Sequence, residues 1–388
     1  MEIKRYLRQL RDEGNFREIP SFSKAGVLDF STNDYMGLGV DTALQERFFA
    51  DAASAKVPMT SAAARLLAPR QIEYTNLEVF LRLLYARRRG DDTGVLMFNS
   101  GYHANTGLIS SIAAKDTYIL ADKLVHASII DGIILSRAPY ARFPHNDFDR
   151  LERMVEAKAG EYGNILVVVE SVYSMDGDSA DMERLIALKK RFPNVMLYVD
   201  EAHAFGVLGP RGLGLAAASS EPGIFDVIVG TFGKAAASMG AFAVTSRDMR
   251  DYLVNTSRSF IFSTALPPMQ AAWTRFVLGT LIAMDKERGH LARLAARLRE
   301  ILGKYSPVEI VPSHIQPLII GDSRQAVELS SKLYNIYGIK ALPIRKPTVP
   351  AGTERLRFSL HASMTDADLD ALDSALADLL PVINLPTL

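Results

Sequence analysis

Two short segments hold side chains that can do chemistry. They are Asp200-Glu-Ala-His203 and Thr231-Phe-Gly-Lys234, and each follows an apolar run that reads as a buried strand. Lys234 stands between Gly233 and Ala235, just past its strand. An amine there is expected to be partly desolvated, which lowers its pKa and makes it a better imine former and base. Asp200 ends its strand where an acid can pair with a pyridine nitrogen, and His203 can donate to a phenolic oxygen on the same ring. Ser100-Gly101-Tyr102 follows the apolar Val95-Leu-Met-Phe98 and opens a helical stretch, and backbone amides at a helix start bind phosphate. His126, in Asp122-Lys-Leu-Val-His-Ala-Ser128, can stack on a flat ring. Ser174, in Glu170-Ser-Val-Tyr-Ser-Met-Asp-Gly177, can support the ring or the phosphate. Arg357, in Arg355-Leu-Arg-Phe-Ser359, suits bidentate capture of a carboxylate. An amine, an acid, a stacking ring and a phosphate cradle are together what pyridoxal 5'-phosphate (PLP) requires.

Singly, each residue has a plainer reading. Lys234 alone is a turn lysine, His126 a structural histidine, Gly101 a turn glycine and Arg357 a surface strand arginine. Asp-Glu-Ala-His after an apolar strand also matches the Walker B box of some helicases. That class needs Gly-x-x-x-x-Gly-Lys-Ser/Thr as well. Around Lys234 the first glycine falls on Ile228 and the residue after the lysine is Ala235; around Lys304 the first glycine falls on Leu298. The ATPase reading is therefore disfavoured.

The elements that must position these residues are legible in the middle of the chain. Ile165-Leu-Val-Val-Val169 ends at Glu170, Val195-Met-Leu-Tyr-Val199 at Asp200, and Val227-Ile-Val229 at Gly230. Continuous apolar strands separated by helix-sized segments imply an α/β fold with a mostly parallel sheet covered on both faces. Ligands of such sheets bind beyond the carboxyl ends of the strands, where Glu170, Asp200 and Thr231 all lie. The carboxyl third reads as a smaller α+β domain. Its helices are expected over 286–304, over 325–337, and from an N-cap at Thr365 with Asp368 three residues on. Short strands are expected at Gln316-Pro-Leu-Ile-Ile320 and Leu356-Arg-Phe-Ser-Leu360. The expected division is an N-terminal segment over 1–45, a large cofactor-binding domain over 46–275 and the small domain over 276–388.

Bulk properties narrow the class. The 388 residues and 48% apolar content suit one large enzyme subunit. Lysine plus arginine equal aspartate plus glutamate at 44 each, which points to no nucleic-acid or membrane partner. With no cysteine, disulfides, thiol nucleophiles and thiolate metal sites are excluded, and no metal site is expected. No apolar run approaches the ~20 residues of a membrane span. The start, Met1-Glu-Ile-Lys-Arg-Tyr, has no signal-peptide core, and a cytoplasmic location is expected.

In this order the segments resemble the α-oxoamine synthases of the fold-type-I PLP transferases. The resemblance runs from Phe30-Ser-Thr-Asn-Asp-Tyr-Met-Gly-Leu38 to the Arg-Leu-Arg strand. Within that family Thr231-Phe-Gly-Lys234, Phe262-Ser-Thr-Ala-Leu-Pro-Pro268, Ile315-Gln-Pro-Leu-Ile-Ile-Gly-Asp322 and Ile344-Arg-Lys-Pro-Thr-Val-Pro-Ala-Gly-Thr353 point to one branch. Its members condense L-alanine with a pimeloyl thioester, on coenzyme A or acyl carrier protein, in biotin biosynthesis. The resemblance implies that Lys234 forms the imine, Asp200 pairs with the pyridine nitrogen, His203 with the phenolic oxygen, and His126 stacks on the ring. It assigns the phosphate to Gly101, Tyr102 and Thr231, the substrate carboxylate to Arg357, and the substrate site to Asn33. It implies a homodimer in which Ser263 or Thr264 reaches the partner's phosphate, and it brings Thr348 to the acyl chain. Two rivals are a sister enzyme, using glycine or an acetyl, succinyl or long-chain acyl donor, and a non-catalytic PLP-binding homodimer.

Several family positions are altered. A glycine-rich stretch with Gly-Ser-Arg reads Thr60-Ser-Ala-Ala-Ala-Arg65, and its later glycine and asparagine are replaced in Ala68-Pro-Arg-Gln71. Glycines after the lysine become Ala235-Ala-Ala-Ser238, and Ala-x-His becomes Ala362-Ser-Met364. Alanine follows glycine into positive φ only at a cost, and the added methyls are expected to bear on acyl specificity and turnover.

Overall fold

Apolar runs of five to seven residues, buried on both sides, build the central sheet of the computed structural model, which describes residues 2–19, 26–69, 71–306 and 308–382. The chain divides into two units. The larger comprises Met36–Tyr173 and Ser179–Asp285; the smaller runs up to Tyr35, takes in Ser174–Asp178, and resumes at Lys286.

The larger unit holds seven strands: β1 (Thr93–Phe98), β2 (Thr117–Asp122), β3 (Tyr140–Phe143), β4 (Asn164–Glu170), β5 (Val195–Asp200), β6 (Val227–Thr231) and β7 (Ala241–Ser246). Their order is β1-β7-β6-β5-β4-β2-β3. All pairings are parallel except those of β7, which runs against both β1 and β6. The fold is thus the α/β architecture with a mostly parallel sheet that the apolar runs imply. In the register of β4 on β5, Glu170 lies opposite Asp200.

Two helices start at the carboxyl ends of strands and matter for the site. Helix α1 (Gly101–Ile112) is capped by Ser100, whose Oγ accepts from the His103 amide at 3.2 Å. Helix α2 (Ala127–Ser136) has His126 as its N-cap, the imidazole accepting from the Ser128 amide. Gly132 lets the two helices touch: a Cβ there would stand 2.8 Å from the Asn105 carbonyl oxygen. On the sheet, Phe232 stacks on Phe242 with ring centroids 5.3 Å apart, and both are fully buried. This packing fixes the end of β6 ahead of Lys234.

In the smaller unit, β8 (Ile315–Ile319), β9 (Leu342–Ile344) and β10 (Arg355–Ser359) form an antiparallel sheet in the order β9-β10-β8. Its helices are α3 (Asp285–Gly303), α4 (Ser323–Tyr337) and α5 (Asp366–Leu379). Thr365 and Asp368 form a reciprocal capping box at the start of α5. Among the described residues no helix is long and apolar enough to cross a membrane.

Candidate active site

A cleft opens at the carboxyl edge of the large sheet. It is lined by Gly101, Tyr102, Asn105, His126, Ser128, Glu170, Asp200, Ala202, His203, Thr231 and Lys234. Its polar groups come from the carboxyl ends of the strands and the segments just past them, as expected for a parallel sheet. The structure thus brings together seven residues singled out from sequence: Gly101, Tyr102, His126, Asp200, His203, Thr231 and Lys234.

Lys234 and His203 meet directly, with Nζ 2.7 Å from Nε2. Asp200 is 4% exposed and its charge is met by neutral donors: Asn105 Nδ2 at 2.7 Å and the Ala202 amide at 2.8 Å. His126 donates its backbone N–H to Glu170 Oε1 at 2.5 Å. Burial pushes the His126 imidazole pKa down, with Asp200 opposing and Lys234 reinforcing that shift. Glu170 is pushed up to about 8, first by burial and then by the neighbouring Asp200. Its carboxyl is therefore largely protonated at neutral pH.

Gly101 faces Thr231, since a Cβ on it would lie 3.7 Å from the threonine Cβ. Thr231 Oγ1 accepts from the Gly233 amide at 3.2 Å and donates to the Gly240 carbonyl at 3.1 Å. Tyr102 is half exposed, and its hydroxyl donates to Asp131.

Asn33, Ser174, Thr348 and Arg357 belong to the smaller unit. Arg357 is 3% exposed there; its Nε donates to the Ser174 carbonyl at 2.6 Å, and Nη2 donates to Asn33 Oδ1 at 3.1 Å and to the Tyr35 hydroxyl at 3.4 Å. All three partners are neutral oxygens, and among the described residues Arg357 meets no carboxylate. Burial pushes Tyr35 up to about 12, so its hydroxyl stays neutral. Thr348 Oγ1 accepts from Arg17 at 3.1 Å. In the larger unit Ser263 and Thr264 sit with Asn99, whose Nδ2 donates to Ser263 Oγ at 2.9 Å and to the Thr264 carbonyl at 2.6 Å.

The replaced glycines have a measurable consequence. Ala62 has φ 48° and Ala237 has φ 45°, both in the left-handed region that favours glycine. Ala237 closes a turn, its amide donating to the Lys234 carbonyl at 2.8 Å. Arg70, in the other altered loop, lies outside the described residues. Met364 is buried, and its carbonyl accepts from His290 Nε2 at 2.8 Å.

Asn105 and Ser128 line the cleft but were not among the site residues drawn from sequence, and Glu170 was placed at the ligand edge of the sheet without a role. A signal existed for each. Asn105 is four residues after Gly101, on the same helix face. Ser128 is two after His126, and Glu170 ends a buried strand beside Asp200.

The residues present fit PLP. One amine, one buried carboxylate held only by neutral donors, two imidazoles and the amides of a helix start converge on a single cleft. Residues 26–376 match the class I and II aminotransferase family, and the chain belongs to that family. A putative 8-amino-7-oxononanoate synthase of Glaesserella parasuis is 45% identical over 381 residues, covering 96% of this chain and 98% of that one. The 8-amino-7-oxononanoate synthase of Chlorobaculum parvum is 45% identical over 357 residues, covering 91% and 89%. Among solved structures, a serine palmitoyltransferase from S. paucimobilis with PLP and myriocin bound superposes with a TM-score of 0.86 at 29% identity, over 97% of each chain. The branch is that of the α-oxoamine synthases, PLP-dependent acyltransferases.

Proposed function

We propose that the chain condenses L-alanine with a pimeloyl thioester, carried on coenzyme A or acyl carrier protein. Carbon dioxide is lost and 8-amino-7-oxononanoate is formed for biotin biosynthesis. The observation that carries this reading is the Lys234–His203 contact of 2.7 Å in a cleft that also holds the buried Asp200. The 45% identity to 8-amino-7-oxononanoate synthase relatives over nearly the whole chain supports the substrate choice.

Bound in the cleft, PLP supplies an electron sink for the charge left when the amino-acid α-carbon loses a proton. Lys234 holds the cofactor and then takes and returns that proton at Nζ. Its contact with His203 orients Nζ, and His203 donates to the cofactor's phenolic oxygen. Asp200 keeps the pyridine nitrogen protonated, its own orientation fixed by Asn105 and Ala202. His126 covers the ring face and polarises the thioester carbonyl. The amides of Gly101 and Tyr102 hold the phosphate at the start of α1, with the Thr231 hydroxyl turning to it from the Gly240 carbonyl; Ser100 secures that turn and Ser174 supports the site. Arg357, a buried guanidinium with only neutral partners, takes the amino-acid carboxylate, and Asn33 steadies it. Thr348 contacts the acyl chain. The working unit is a homodimer in which Thr264 serves the partner's phosphate, and sedimentation of the PLP-loaded enzyme as a monomer would remove that element.

Purified protein with PLP, L-alanine and pimeloyl-coenzyme A is expected to release carbon dioxide and 8-amino-7-oxononanoate, read by mass. Product from another amino acid or thioester alone would move the chain to a sister activity. A PLP absorbance band without turnover on any substrate pair would favour a non-catalytic binder.

A further inference from the structure

Asn105, one turn into α1, is 2% exposed and fully bonded. Its amide nitrogen donates to Asp200 Oδ2 at 2.7 Å and to Ser128 Oγ at 2.9 Å, and its oxygen accepts from the Tyr198 hydroxyl at 2.6 Å. The carboxylate fixes the direction of the amide, because the reversed orientation would set two oxygens against each other. Ser128 Oγ therefore accepts from Asn105 and has its own hydrogen left for His126 Nδ1, 2.8 Å away. The Ser128 backbone N–H reaches the same nitrogen at 3.2 Å. An N–H only donates, so Nδ1 presents its lone pair. A neutral imidazole then carries its proton on Nε2. Among the described residues Nε2 has no hydrogen-bond partner, whereas Nδ1 has two.

We propose that Asn105 and Ser128 are positioning residues that relay the negative charge of Asp200 to His126 and hold its ring as the neutral Nε2–H tautomer. The imidazole then offers the cleft a hydrogen-bond donor and never a base. This rests on the cleft being the reaction site, and it deepens that reading. One carboxylate serves two tasks: it pairs with the cofactor's pyridine nitrogen, and through two side chains, Asn105 and Ser128, it decides which atom of His126 carries a proton. The proton that Lys234 moves is thereby kept off the stacking ring, because Nδ1 is already spent on two donors and Nε2 is filled. With its proton on Nε2, the ring can polarise a carbonyl oxygen in the cleft without accepting a proton in exchange. Buried donors and acceptors this fully paired are costly to rearrange, so the tautomer is set before substrate arrives.

The test is nitrogen NMR of the PLP-loaded protein labelled at histidine. The His126 signals are assigned by their loss in His126→Asn among the seven histidines. The expected spectrum has an unprotonated Nδ1 and a protonated Nε2 near neutral pH. Ser128→Ala is expected to mix the two tautomers and to lower kcat about tenfold, with KM for L-alanine within about threefold. Ser128→Thr, which keeps the hydroxyl, is expected to restore both readouts. A proton on Nδ1 in the unmodified protein would overturn the proposal, and so would Ser128→Ala with an unchanged tautomer and kcat. If Ser128→Ala does not fold, the spectrum of the unmodified protein decides alone. An Nε2–H ring in a protein that makes no 8-amino-7-oxononanoate would support the relay while removing the proposed reaction, so the two failures are distinct.

Discussion

Replacing Arg357 with lysine keeps the charge and removes the fork. The guanidinium has five N–H donors. One on Nε goes to Ser174 and those on Nη2 to Asn33 and Tyr35, which leaves both hydrogens of Nη1 uncommitted. A carboxylate taking those two gains charge-assisted bonds worth roughly 1.5–3 kcal/mol each. A lysine ammonium has three donors, and three neutral oxygens already wait for them. The loss is therefore at least about 3 kcal/mol, or roughly a hundredfold at 1.4 kcal/mol per decade. In Arg357→Lys the KM for L-alanine is expected to rise about a hundredfold, with PLP absorbance unchanged. The assay is initial-rate kinetics over a wide range of alanine, with L-alaninamide as a control that lacks the carboxylate. A KM within threefold of the parent value would refute the reasoning. A parallel loss of binding by alaninamide would do the same, since it would show that the substitution disturbs more than the carboxylate contact.

Three further outcomes follow from the site. Lys234→Ala is expected to lose both the PLP imine band and the condensation, and near-normal turnover would remove Lys234 from its role. Burial and Asp200 raise the Glu170 pKa to about 8, so between the unperturbed 4.5 and that value the folded chain holds a proton the unfolded chain has released. Stability of the PLP-free protein therefore falls as pH rises through that window, at up to roughly 1.4 kcal/mol per unit. Glu170→Gln keeps an acceptor for the His126 amide and is expected to be the more stable form at pH 8 but not at pH 5; urea melts with the same pH slope in both proteins would contradict this. Ala237→Gly removes a left-handed alanine that costs roughly 1–2 kcal/mol, against about 0.4–1 kcal/mol of added freedom in the unfolded chain. A net gain of about 0.5–1 kcal/mol is expected in the urea midpoint, and a loss would show that the methyl group packs favourably.

The strands that end at the cleft were legible because they are buried on both faces and read as unbroken apolar runs. β4 and β5 match the runs ending at Glu170 and Asp200 within a residue at their amino ends. The N-cap at Thr365 was legible for a local reason, since its capping box needs only two residues three apart. The reversed direction of β7 was not legible, because an apolar strand buried on both sides reads the same in either direction. Asn105 was missed because its three partners come from α2 and β5, far along the chain. Its period gave a hint: Tyr198 is two residues before Asp200, so both side chains leave β5 on one face. The alanines after the lysine could be flagged as costly at positive φ, and Ala237 does adopt it. Ala235 and Ala236 do not, a distinction only the folded turn makes.

The parallel pairing that sets Glu170 beside Asp200 also fixes how much charge the floor of the cleft holds. Of the two adjacent buried carboxyls, Glu170 is pushed toward its protonated form by burial and by the neighbouring Asp200. A slip of β4 by one residue along β5 would turn Glu170 to the opposite face and bring Ser171 into its place. The ionisation of Glu170 is in that sense written into the alignment of two strands, and a mutation that loosened their ladder would first be felt there.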